Sequence, residues 1–153
     1  YKGIPLCLTT AIALSARLKQ DIGYFFNRKE KKTHGDQGTL VGQFPLARDC
    51  VVMVDDVITD GLTKIESVAL IRELCKIKFS GVLVALGRME KNSQANDAIT
   101  EFQQKTGVPV WSIITIRETC DYLKNREIDG SVVLDVSTFL KIENYLAEHS
   151  VRS

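Results

Sequence analysis

Two runs of this chain are apolar from end to end, Val51-Val52-Met53-Val54 and Gly81-Val82-Leu83-Val84-Ala85-Leu86, and a third, Val110 to Ile114, is interrupted only by Ser112. A strand with one face in water alternates polar and apolar residues, whereas a strand covered on both faces does not. Each run is followed by a helical pattern. Ile65, Val68, Ile71 and Cys75 recur three and four residues apart after the first, and a helix is expected from about Gln94 to Lys105 after the second. Thr115-Ile116-Arg117-Glu118 has the spacing of a capping box at the start of a third. Buried strands alternating with helices predict an α/β fold, a mainly parallel central sheet with helices on both faces.

The flanking segments fit around that frame. Ile4 to Lys19 predicts a helix with Leu8, Ala11, Ile12 and Leu18 on one stripe and Pro5 in its first turn, and Gly23 to Arg28 predicts a strand. Lys29 to Gly42 is polar and glycine-bearing, and reads as a long mobile loop. Ser137 is placed to cap a last helix carrying Phe139, Ile142 and Leu146, while Phe25, Phe26 and Trp111 read as core. A length of 153 residues without repeat or linker predicts a single domain over residues 1–153. The formal net charge of +1 exerts no global pull on nucleic acid or membranes, so electrostatic function has to be local. No apolar stretch approaches the ~20 residues of a membrane span, and no signal peptide is visible. Cys7, Cys50, Cys75 and Cys120 form no CxxC pair; scattered among apolar residues, they read as buried free thiols suited to a reducing cytoplasm.

Four places carry polar chemistry. At the end of the first apolar run stand Asp55 and Asp56, followed by the turn Val57-Ile58-Thr59-Asp60-Gly61-Leu62 and the capping-box string Thr63-Lys64-Ile65-Glu66. Amides of such a turn and of a helix start can hold a phosphate. The carboxylates suit ribose hydroxyls or a hydrated metal ion; the plainer alternative is a solvated strand-end turn. Arg28-Lys29-Glu30-Lys31-Lys32, followed by His34, is either a solvated charged face or a cationic flap for a concentrated anion. Lys2 precedes Gly3 in a turn feeding a helix, and Arg88 follows the second apolar run, where its planar fork of donors suits a carboxylate or a pyrimidine carbonyl. His149 has no partner in sequence and is expected to be exposed.

Val51 to Lys64 resembles the phosphoribosyl pyrophosphate (PRPP) motif of type I phosphoribosyltransferases. Tyr1-Lys2-Gly3-Ile4-Pro5-Leu6 and Asn27-Arg28-Lys29-Glu30-Lys31-Lys32-Thr33-His34-Gly35 narrow the resemblance to the orotate phosphoribosyltransferase family, in order along essentially the whole chain. It implies the three-layer type I phosphoribosyltransferase fold and transfer of a 5-phosphoribosyl group from PRPP to orotate, in pyrimidine biosynthesis. The implied PRPP contacts are Asp55 and Asp56 on the ribose, Val57, Ile58, Thr59, Asp60, Gly61, Leu62 and Thr63 around the 5-phosphate, and Tyr1 and Lys2 on the pyrophosphate. Arg28, Lys29, Lys32 and His34 close over the leaving group from the neighbouring subunit of a homodimer. Lys32, His34 and Asp56 are the implied catalytic groups, with Thr59 and Arg88 on orotate. Mg²⁺ is expected to ride mainly on PRPP oxygens, with no protein metal site. The chain departs from the family pattern at Asp60, which adds negative charge near the phosphate, at Leu62, which offers only its backbone, and at Gly87, where an aspartate is frequent. The family carries a region ahead of Tyr1, including part of the orotate site, so the expectation is a fragment, and the short tail after the last helix favours a stand-alone parent over a fused one. The rival readings are a phosphoribosyltransferase for another base, a non-catalytic PRPP-sensing regulator, and an inert fragment.

Overall fold

The computed structural model describes residues 2–27, 40–59, 61–92 and 95–150. Their elements in chain order are α1 (Gly3–Leu18), β1 (Phe25–Asn27), β2 (Leu40–Gly42), β3 (Cys50–Val57), α2 (Leu62–Cys75), β4 (Lys78–Gly87), α3 (Ala98–Thr106), β5 (Val110–Thr115), α4 (Ile116–Leu123), β6 (Glu127–Ile128), β7 (Ser131–Val132) and α5 (Val136–His149). The three apolar runs become the parallel sheet β3-β4-β5, with Val54 beside Leu83 and Leu83 beside Trp111. Each crossover is a helix, as expected, although α3 begins only at Ala98, where the Asp97 side chain caps it by accepting from the Ile99 N–H. β1 and β2 pair as a small antiparallel ribbon, and β6 and β7 form a hairpin that the sequence reading did not foresee. Of the loop expected over 29–42, residues 40–42 are strand and 28–39 lie outside the described residues.

α2 and α3 share one core on one face of the sheet. Val68, Ile71 and Cys75 of α2 meet Val82 and Val84 of β4 and Phe102 of α3, all buried, and Ile65 packs against them part-buried. The Arg72 guanidinium of α2 donates from Nη1 to the Thr106 carbonyl at 2.8 Å, placing a cation at the negative end of α3. Thr115 and Glu118 form the expected capping box at α4. Two other caps differ from expectation. Thr63 does not start α2: Gly61 precedes the helix in a left-handed conformation (φ 73°), and Thr63 falls inside the first turn. Ser137 does not cap α5 either; the Asp135 carboxylate accepts from the Thr138 N–H at 2.7 Å. In both, the chain enters the helix earlier than the side-chain pattern alone suggests.

Other burial assignments are corrected by packing. On α1 only Ala11 is buried, and Ile12 and Leu18 are exposed. Cys75 and Cys120 are buried, but Cys7 is half-buried and Cys50 exposed. Trp111 is 51% exposed rather than core. Strand alternation puts it on the face opposite α2 and α3, with the exposed Val52 and Ile113. There its ring lies flat across Gly81, where an added Cβ would sit 1.9 Å from Cζ3. Glycine at 81 is thus what lets the indole cover the β4 backbone. Gly81→Ala is expected to swing the ring off the sheet, shifting the emission of this single tryptophan toward solvent-exposed values and costing about 1–3 kcal/mol in denaturant unfolding.

Candidate functional site

β3 does not stop at Val54; it continues through both carboxylates to Val57, so the acidic pair is part of the ladder, with Asp55 opposite Val84. Successive strand side chains point to opposite faces, and the two carboxylates accordingly find different cations. Asp55 Oδ2 lies 2.7 Å from Lys64 Nζ. The same ammonium donates to the Val57 carbonyl at 2.9 Å. Lys64 is the third residue of α2 and its side chain is only 15% exposed, so this cation is committed to the strand end. Asp56 Oδ2 lies 3.5 Å from the Nζ of Lys2, whose side chain is largely in solvent. The Asp55 and Asp56 Oδ1 atoms accept, at 2.9 Å each, from the N–H of the residue that follows.

These contacts set the charge state of Asp56. Partial burial alone would raise the Asp56 carboxyl. The Val57 N–H, the Lys2 ammonium and the bond with Asp55 outweigh it and hold the group below the ordinary carboxylate range. The start of α1 backs directly onto the acidic strand end. A Cβ on Gly3 would lie 3.1 Å from Asp55 Oδ1 and 3.4 Å from the Val54 carbonyl, so a small residue here lets Lys2 reach Asp56. Beyond β3, Ile58 is buried, Thr59 exposed, and the buried Gly61 turns the chain into α2, whose first turn holds no acidic residue. Leu62 and Thr63 are exposed at the helix start.

Arg88 follows the last residue of β4. Because Val57 pairs with Leu86, it stands at the same sheet edge as the acidic pair. Its Nη2 lies 2.7 Å from both carboxylate oxygens of Glu90. A cavity of about 380 Å³ adjoins it, lined by Leu86, Ile116, Ile142, Tyr145 and Leu146 among others. Among the described residues no three His, Cys, Asp or Glu side chains gather into a metal cage. Burial pushes the thiols of Cys7, Cys75 and Cys120 up, which makes them poor nucleophiles.

The structure therefore brings Lys2, Asp55, Asp56 and the turn 57–59 and 61–63 together at one strand end, with Arg88 at the neighbouring one. Tyr1, Arg28, Lys29, Lys31, Lys32, His34 and Asp60 lie outside the described residues. His149 is exposed as expected, and its ring lies 4.5 Å from that of Tyr145. Sequence reasoning missed Lys64 and Glu90. Lys64 hid inside the capping-box string. Glu90, two residues after Arg88, was a visible signal for an ion pair that went unused.

Two measurements check this geometry. Lys64→Ala strands the half-buried Asp55 carboxylate, with an expected loss of about 1–3 kcal/mol of unfolding free energy. Asp56 has a lowered folded-state value, so its share of stability is present at neutral pH and disappears as pH falls through that value. Lys2→Met is expected to move the Asp56 titration, followed by NMR, to higher pH, and with it the pH at which that share is lost.

Comparison with known proteins follows the same lines. No family model matches the chain. The orotate phosphoribosyltransferase of Clostridium beijerinckii is 35% identical over 152 residues, covering 99% of this chain and 68% of that protein. That of Pseudomonas putida is 46% identical over 123 residues, covering 80% of this chain and 56% of its own. Among solved structures, orotate phosphoribosyltransferase from Francisella tularensis matches with a TM-score of 0.74 at 25% identity, covering 99% of this chain and 67% of that one. UMP synthase of Leishmania donovani shares the fold at a TM-score of 0.65 and 17% identity, over 97% of this chain and 28% of that one.

Proposed function

The chain belongs to the orotate phosphoribosyltransferase family, and from that membership we propose how its residues carry the transfer. The function is that of a pentosyltransferase in pyrimidine biosynthesis: the 5-phosphoribosyl group passes from PRPP to orotate, giving orotidine 5′-monophosphate and pyrophosphate. The observation that carries the assignment is the 35% identity to such an enzyme over 99% of this chain. The paired carboxylates at a sheet edge ahead of a helix start fit it.

In this reading N1 of orotate forms the bond to C1 of the ribose as the C1–oxygen bond to pyrophosphate breaks, and the N1 proton passes to the departing pyrophosphate or to solvent. Charge develops on both sides of that carbon, and the protein's part is positioning and charge stabilisation. Asp55, locked by Lys64, and Asp56, held ionised, accept from the ribose hydroxyls. The turn from Val57 through Thr63, including Thr59, Asp60, Gly61 and Leu62, wraps the 5-phosphate at the positive end of α2. Lys2, in a long and exposed ion pair with Asp56, exchanges it for pyrophosphate when the donor arrives, beside Tyr1. Arg28, Lys29, Lys32 and His34 neutralise the leaving group, and Arg88 with Thr59 holds orotate.

In this reading Mg²⁺ would be carried mainly by PRPP oxygens rather than by a dedicated protein site. When bound it supplies neutralisation of the phosphate oxygens. The working unit is a cytoplasmic homodimer of single domains, with the loop around Lys32 reaching the partner's site.

The test is pyrophosphate release from PRPP with orotate, and its absence with uracil, adenine or hypoxanthine in place of orotate; release with one of those bases instead would overturn the acceptor. Lys32→Ala is expected to lower turnover by roughly 10²-fold, the scale of losing one transition-state donor. Mixing the impaired Lys32→Ala and Asp56→Asn proteins is expected to regenerate activity well above that of either alone, as a site shared across a dimer requires.

A further inference from the structure

Arg88 does not end in open solvent. β4 stops at Gly87, and Met89 takes a left-handed backbone conformation, φ 59°, which an L side chain resists. A non-glycine residue held there points to surroundings that over-determine the turn. Those surroundings are the end of α5. Glu90 forms an isolated β-bridge with the buried Ser150, and the Lys91 N–H donates to the His149 carbonyl at 2.8 Å. The Tyr145 hydroxyl of α5 donates to Glu90 Oε1 at 3.3 Å. Glu90, its side chain 20% exposed, receives Arg88 Nη2 on both carboxylate oxygens. The turn therefore carries an acid onto the arginine from one side and fastens that acid to a helix from the other.

We infer that Glu90, held by Tyr145, is a positioning residue that aims the Arg88 guanidinium at the acceptor base. The inference rests on the placement of Arg88 at orotate proposed above, and adds what holds it there. An arginine side chain carries large rotamer entropy, and a partner that fixes one nitrogen leaves fewer conformations to lose on binding. Nη2 is spent on Glu90, which leaves Nη1 and Nε as donors on different edges of the guanidinium, so a single edge is presented to the acceptor. The ion pair also cancels much of the local positive charge. Recognition at this spot then depends on where the donors point more than on bare attraction for an anion. Through Glu90 and Tyr145, α5 becomes part of the base-recognition apparatus without touching the base.

Steady-state kinetics on the full chain, varying orotate and PRPP separately, tests this with Glu90→Gln, Tyr145→Phe, Arg88→Lys and the double variant Arg88→Lys/Glu90→Gln. Glu90→Gln is expected to raise the KM for orotate about tenfold while the KM for PRPP stays within about twofold and the melting temperature is unchanged. Tyr145→Phe, which keeps the ring, should shift the same constant by about threefold. The double variant should be no worse than Arg88→Lys alone, because Glu90 acts only through the guanidinium. An orotate KM that is unchanged or lowered in Glu90→Gln, or losses in the double variant that simply add, overturns the inference while leaving Arg88 at the base. A silent Arg88→Lys removes Arg88 from the base site and takes the inference with it.

Discussion

The two carboxylates at the end of the strand β3 leave it on opposite faces, and each is met by a cation from a different element. Lys64 is the more consequential. Its ammonium bridges the Asp55 carboxylate and the Val57 carbonyl, and so clamps the end of β3 to the first turn of α2. The turn between them is short and contains the left-handed Gly61. The Lys64 contact ties the strand end to the helix start, while Ile58 and the inner face of α2 are held by the core. Lys2 is the opposite kind of partner: exposed, 3.5 Å away and supplied by the residue before α1, it tunes Asp56 without immobilising it. One carboxylate is built in and the other is left responsive.

The sheet supplies the second condition. Parallel strands all end at the same edge, so loops that are distant in sequence meet there. The register of Val57 with Leu86 is what sets Arg88 beside the acidic pair, thirty-two residues further along the chain. The core beneath is ordinary: α2 and α3 close over Val82 and Val84. Nothing in that core is polar enough to act, which leaves the chemistry to the edge.

Much of this was readable from the chain, and the exceptions are instructive. Thr115 to Glu118 and Thr63 to Glu66 carry the same capping pattern, yet only the first is a cap. Ahead of Thr115 the strand runs straight into the helix. Ahead of Thr63, Gly61 can turn left-handed, which starts the helix two residues early and places Thr63 inside its first turn. Asp135 displaced Ser137 at α5 in the same manner. Trp111 failed as a core residue because a long apolar strand does not say whether both of its faces are covered; its ring settles on Gly81 and remains half in water.

Hydrophobic patterning and residue chemistry determined the alternation of strands and helices, the parallel sheet, and the presence of an acidic pair at a strand end, because these depend on period and composition along the chain. Which cation meets which acid was decided only by the tertiary structure. Lys64 to Asp55, Lys2 to Asp56 and Glu90 to Arg88 depend on ångström-scale distances between side chains carried by different elements or turned toward each other by a left-handed residue, and a one-dimensional pattern holds no such distances.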